Sequence, residues 1–177
     1  MIRLATLADI PQVAAIYADI HQQEELGNTT TGWKRGLYPT EQTARDALAA
    51  GTLFVYEEGG QILASARIDQ HQEEEYAQAS WTQDAPPAKV MVLHTLVVSP
   101  AAGGRGIARQ FVAFYEEYAA RNGCPFLRMD TNARNTRARA LYHKLGYREV
   151  GIIACDFHSV GQVDLVCLEK TLKPEGE

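Results

Sequence analysis

Hydrophobic positions recur along this chain with two periods. Ile10, Val13, Tyr17 and Ile20 are spaced by three to four residues, which predicts an amphipathic helix. Asp9 stands before it as an N-cap, and Pro11 is tolerated in the first turn, where its missing donor would be unpaired anyway. Thr40 is placed to cap a short helix that stops at Gly51. Ile107, Phe111, Phe114 or Tyr115, and Tyr118 mark one face of a third helix ending near Asn122-Gly123. Asn135 to Leu145 forms a fourth, with Gly146 as its stop. The other runs are β-rich. Ile2 to Leu4 is a short strand, and "TLFVYEEGGQILASARID" is a hairpin turning at Gly59-Gly60. Lys89 to Val98 is a long strand, followed by "PFLRMD", "YREVGII" and "VDLVCLEKTL". Regular alternation along the long strand sets His94, Leu96 and Val98 on one face and Leu93, Thr95 and Val97 on the other.

Two stretches, roughly 21–39 and 70–88, have no clean period. They are long for connections, which marks them as functional or mobile. The second holds room for a helical turn carrying Tyr76 and Ser80 before the Pro86-Pro87 break. The element order is β-α-α-β-β-β-α-β-α-β-β. It implies an α/β protein with a mixed sheet of about seven strands, flanked by about four helices. The closing "KPEGE" reads as a soluble tail.

The length, 177 residues, suits one domain spanning 1–177. A net charge of −5 argues against nucleic acid as the main partner and is compatible with a cationic small substrate. Cys124, Cys155 and Cys167 are odd in number and widely spaced, which suits neither a disulfide framework nor a zinc site. Reduced thiols, a cytoplasmic location and no metal are therefore expected. The start "MIRLATLADIPQV" has no basic region followed by a long apolar stretch, so no signal peptide is expected. Nothing approaches the ~20 apolar residues of a membrane span.

The stretch "VVSPAAGGRGIARQF" carries the chemistry. Three glycines, Gly103, Gly104 and Gly106, stand between a strand and a helix. A helix N-terminus offers free N–H groups and partial positive charge, and glycines let the backbone approach an anion. "GGRGIA" is thus able to hold a pyrophosphate with backbone alone, with Arg105 and Arg109 adding charge. A plain tight turn would look similar. A P-loop is excluded because no Lys-Ser or Lys-Thr follows the glycines. A Rossmann fingerprint fits Gly104-x-Gly106, with Asp130 as its acid, but Arg109 occupies the third glycine position.

The chain resembles the GNAT superfamily of acetyl-CoA-dependent N-acetyltransferases. Its signature is Gln/Arg-x-x-Gly-x-Gly/Ala after a strand written Leu-x-Val-x-Pro. Here Leu96-Val97-Val98-Ser99-Pro100 is followed by Gly103-Gly104-Arg105-Gly106-Ile107-Ala108, with Gly103 in place of the leading Gln/Arg. A second block, "NTRARALYHKLGY" from Asn135 to Tyr147, matches the family's Asn-x-x-Ala-x-x-Leu-Tyr-x-Lys-Leu-Gly-Phe nearly throughout. The likeness is close over roughly residues 90–150, and the cofactor half is set at roughly 89–150.

The resemblance implies acetyl transfer from acetyl-CoA to a small-molecule amine, with the arm of the cofactor paired along Leu96 to Val98. It also implies pyrophosphate contacts at Gly103 to Arg109 and a role for Asn135 toward the arm or the helix start. Tyr142 is implied as the acid for the departing thiolate; as a plain core residue it would share a helix face with positions 138, 141 and 145. His94 is a base of suitable ordinary pKa or a water-positioning group, and a buried structural histidine is the alternative. Glu73, with Glu74 and Glu75, is a further acid able to attract an ammonium. Asp130 and His143 are expected to be structural or exposed. The acceptor walls are expected from Trp33, Tyr38, Tyr76 and Trp81, where an aromatic face beside an acid holds an amine by cation–π attraction. A non-catalytic acyl-CoA sensor on the same fold is the alternative function. A homodimer is compatible with the family.

Overall fold

The computed structural model of the chain describes residues 1–157 and 160–173. The last residues of the expected soluble tail lie outside them. Among the described residues, one sheet of seven strands is built from β1 (Ile2–Leu4), β2 (Leu53–Glu58), β3 (Gln61–Asp69), β4 (Val90–Val98), β5 (Phe126–Asn132), β6 (Arg148–Asp156) and β7 (Gln162–Thr171). Four helices flank it: α1 (Ile10–Glu25), α2 (Glu41–Ala49), α3 (Ile107–Arg121) and α4 (Thr136–Lys144). The spatial order is β1-β2-β3-β4-β5-β7-β6. The β4–β5 pair is parallel and its neighbours are antiparallel, as the mixed hairpin and crossover pattern predicts.

Each face of the sheet is closed by one helix pair. Leu53 and Val55 of β2 point to α1 and α2, where they meet Ile10, Val13, Tyr17, Ala44 and Ala47. Phe54 and Tyr56, their alternates, point to α3 and α4, with Phe111, Tyr115 and Tyr142. A third cluster packs Tyr76, from a short 3-10 turn at Glu74–Gln78, against Val90, Val92, Leu165 and Cys167.

Two local expectations change. Asp9 precedes α1, but its side chain makes no cap bond to the helix. It instead accepts from the Thr6 amide at 2.7 Å and from both terminal nitrogens of Arg3, so it ties β1 to α1. The alternation of β4 also breaks. Thr95 adopts φ +51, and the β3–β4 register slips between Ser65 and Arg67. A β-branched residue in this region is a genuine outlier, costing ~1–3 kcal/mol. Its hydroxyl is hydrogen-bonded to the Tyr38 hydroxyl. The bulge turns the strand, so Leu93, Leu96 and Val98 share the α3 face and His94 lies apart from Leu96 and Val98.

The bulge also opens the sheet. Parallel pairing of β4 with β5 ends at Leu93 and Met129. Beyond it β4 continues along β3 to Val98, while β5 continues along β7 to Asn132. The two strands diverge into a cleft. The Tyr115 hydroxyl donates toward Met91 O at 2.6 Å and lies 3.2 Å from Arg128 O, which pins α3 across the strands at the closed end.

Candidate active site

The cleft holds a cavity of about 120 Å³. Its walls come from both ends of the chain. Leu93, His94, Thr95 and Leu96 line it from β4, and Asp130, Thr131 and Asn132 from β5. Asn135, Ala138 and Tyr142 line it from the start and body of α4, and Thr31, Gly32, Trp33 and Tyr38 from the α1–α2 connection. Arg67, Glu73 and Phe157 complete the polar and aromatic rim.

The glycine turn lies between the end of β4 and the start of α3. Gly104 and Gly106 take φ +78 and +73, in the left-handed region where a side chain is strained. The first bond of α3 runs from the Gln110 amide to Gly106 O. Among the described residues, the amides of 104 to 109 therefore have no hydrogen-bond partner. That is the donor set a pyrophosphate requires, and the residues present fit it. Gly103 has ordinary backbone angles, but a Cβ there would lie 3.3 Å from Pro100 O, so a side chain would require the turn to give by a few tenths of an ångström. Arg105 meets Glu58 at 2.5 Å, Arg109 is exposed, and Ile107 plugs the α3 core.

Tyr142 is 8% exposed and its hydroxyl makes no hydrogen bond among the described residues. Burial, and then the negative charge of Asp130, push its phenol up to about 12. It is therefore fully protonated at neutral pH, with a donor to spare at the cavity wall. Asn135 accepts from the Ala138 amide at 3.1 Å as the N-cap of α4 while also facing the cavity, so it serves the helix start and the wall together.

His94 has a defined tautomer. Its Nε2 lies 3.1 Å from Asp69 Oδ1 and 3.1 Å from His71 O. Both partners only accept, so Nε2 carries hydrogen and the lone pair of the neutral ring sits on Nδ1. Glu73 Oε1 lies 3.9 Å from that nitrogen. Burial raises the Asp69 carboxyl, but hydrogen bonds from His94 and Arg67 outweigh it and hold the group well below the usual carboxylate range. Asp69 and Arg67 escape sequence reasoning, because only the β3–β4 register sets Arg67 opposite His94. Phe157 and Asn132 were equally hidden, whereas Thr31 falls within the 21–39 stretch.

The acceptor-side expectations divide. Trp33, Tyr38 and Glu73 line the cavity. Tyr76 does not: it is 2% exposed and donates its hydroxyl to Asp130 Oδ2 at 2.6 Å from beneath the wall. Trp81 packs on Tyr76, with the Arg128 guanidinium 4.3 Å from its ring centre. Asp130 is in the wall rather than exposed, and burial pushes its carboxyl upward against the lowering effects of Tyr76 and His94. His143 is exposed and lies 3.2 Å from Glu149.

The α1–α2 connection is held by one carboxylate. Glu24 accepts from Thr29 Oγ1 at 2.6 Å and from Thr31 N, Thr31 Oγ1 and Gly32 N, each at 2.9 Å. Gly32 takes φ +75, and a Cβ there would come within 2.6 Å of Asn132 Nδ2, so only glycine lets this segment close on β5. Lys34 Nζ donates to Val160 O at 2.7 Å, and Tyr38 packs edge-on against Phe157, which joins the segment to the β6–β7 connection.

Comparison with known proteins agrees with this geometry. The family model described as the Acetyltransferase (GNAT) family matches residues 14–147. The chain belongs to that family and is an acyltransferase by class. It is 28% identical over 104 residues to the uncharacterised N-acetyltransferase YhfO of Bacillus subtilis strain 168, covering 52% of this chain and 70% of that protein. Its fold matches a GNAT-family acetyltransferase from Streptococcus agalactiae with a TM-score of 0.82 at 24% identity, covering 98% of this chain and 96% of that one. It also matches YncA from Salmonella typhimurium, solved with its cofactor acetyl-CoA, with a TM-score of 0.66 at 19% identity over 100% and 96% of the two chains. Among the described residues, no helix is long and apolar enough to cross a membrane.

Proposed function

We propose that the protein transfers an acetyl group from acetyl-CoA directly to a primary amine of a small acceptor. The observation that carries this reading is three unspent groups, two on the cleft wall and one in the turn that follows β4. These are the six unpaired amides of 104–109, the unpaired Tyr142 hydroxyl and the His94 Nδ1 lone pair. Acetyl-CoA would supply the activated acetyl group, its pyrophosphate on the amides and its arm beside Leu96 to Val98.

A simple alkyl ammonium, with a pKa near ~10.4, must lose a proton before it attacks. Nδ1 of His94 is the acceptor on the cavity wall, and Asp69 stabilises the charged ring from behind. Glu73 attracts the ammonium beforehand. As the C–N bond forms and the C–S bond breaks, Tyr142 donates to the departing sulfur. A phenol at about 12 is a weaker acid than a thiol near ~8.5, so Tyr142 acts as a hydrogen-bond donor to developing thiolate charge. Solvent then completes the protonation of the sulfur.

The test is release of free CoA thiol from acetyl-CoA in the presence of a panel of amines. Amine-dependent release with an acetylated product is expected. Tight acetyl-CoA binding with no release across the panel would point instead to a binding protein on the same fold.

A further inference from the structure

We propose that the acceptor is a small α-amino acid whose free carboxylate is held by Arg67; this rests on the acetyl-transfer reading above. Arg67 is the only lysine or arginine among the residues lining the cavity. Its Nε meets Asp69 Oδ2 at 2.5 Å. Its two terminal nitrogens make no hydrogen bond among the described residues, and neither is sealed from solvent as an unsatisfied buried group would be. A planar fork with two free donors is the geometry that takes a carboxylate in two parallel bonds.

Its placement selects where that carboxylate sits. Arg67 lies directly opposite His94 on the paired strand. Opposed residues on antiparallel strands have Cβ atoms ~4.5–5.5 Å apart. An anion on Arg67 therefore lies beside the imidazole that takes the proton. In an α-amino acid, amine and carboxylate share one carbon, which matches this close spacing. The opposite charge is also provided: Glu73 Oε1 lies 3.9 Å from His94 Nδ1, where the ammonium would arrive. Trp33, Tyr38 and Phe157 give the substituent an aromatic wall. Tyr38, Arg67 and Thr95 also line a second cavity of about 470 Å³, which leaves room for the substituent.

The experiment compares each L-amino acid with its own carboxamide, using alanine, methionine and phenylalanine. The amide keeps size and shape and loses the charge. Its amine is the less basic, so chemistry alone would favour the amide. For the wild-type protein, kcat/KM is expected to favour the acid by at least about tenfold, as a charge-assisted bond requires. Arg67→Gln should bring the acid-to-amide ratio close to one by lowering turnover of the acid. Arg67→Lys, which keeps the charge and the fold, should retain part of the preference.

A wild-type ratio at or below one overturns the proposal without needing a variant. So does an Arg67→Gln protein that loses acid and amide activity equally, since Arg67 would then act only through Asp69. A protein that binds acetyl-CoA calorimetrically but acetylates no member of any pair overturns the acceptor class alone. Failure to bind acetyl-CoA would remove the underlying reading instead.

Discussion

The two halves of the cleft are built from different materials. On the proposed donor side, the amides of 104–109 and the strand after Thr95 present backbone. Backbone donors tolerate side-chain change, and Gly103 in place of the family's Gln or Arg leaves the amide row unpaired and available. On the proposed acceptor side, Glu24, Arg67, Asp69, Glu73 and His94 present side chains drawn from α1, β3, β4 and the segment after β3. A site made of converging side chains is free to change its acceptor.

Four substitutions sharpen this contrast. The largest effect is expected from Tyr142→Phe. Loss of a donor to developing charge should lower kcat by ~10²–10³-fold while the acetyl-CoA Kd stays within about twofold. With the phenol at about 12, the wild-type rate should also show no decline from Tyr142 ionisation near its ordinary pKa of ~10. A fall in affinity equal to the fall in rate would return Tyr142 to a packing role.

Asp69→Asn comes next. The amide can donate toward Nε2 and so favours the other tautomer, with the lone pair turned away from the cavity. A loss of ~10²-fold in kcat is expected, with little change in acetyl-CoA binding. Full activity would remove His94 from proton transfer.

Gly106→Ala tests the donor half. Its Cβ would meet nothing within 4 Å, so the cost is the left-handed backbone alone, ~1–2 kcal/mol. If the backbone relaxes to escape it, the amide row turns and the acetyl-CoA Kd should rise about tenfold, with a Tm lower by a few degrees. An unchanged Kd would separate the amide row from donor binding.

The mildest change is Glu24→Gln, which weakens charge-assisted bonds to the Thr29–Gly32 segment. The acceptor KM should rise severalfold, with the acetyl-CoA Kd unaffected, because none of the residues contacted by Glu24 belongs to the glycine turn. Equal loss on both sides would break the division between the halves.

The same division explains what could be read before the structure. The element order, the hairpin at Gly59-Gly60 and the four helices follow from local periods, which the fold keeps. The proposed donor site could be put forward from sequence because it lies in a contiguous run, Leu96 to Arg109, whose glycines are visible as glycines. Thr95, the residue just before that stretch, is the counterexample. Its residue type favours a regular strand, and only the Tyr38 hydroxyl and the divergence of β4 from β5 account for its turned backbone. Arg67 and Asp69 were illegible for another reason. Each is an ordinary charged residue on a strand, and its meaning comes from the residue across the register. Tyr76 shows the reverse error: an aromatic in an irregular segment suggested a wall, but its ring faces the core and only its hydroxyl supports Asp130.

The most direct measurement is calorimetric titration of the protein with acetyl-CoA and, separately, with S-acetylpantetheine, which has the same thioester and arm but no pyrophosphate. Micromolar binding of acetyl-CoA is expected, with acetylpantetheine, which lacks the whole 3′-phospho-ADP group, weaker by about 100-fold or more, as several charge-assisted bonds require. Equal affinities, or no binding of acetyl-CoA, would contradict this account, since the six free amides would then hold nothing.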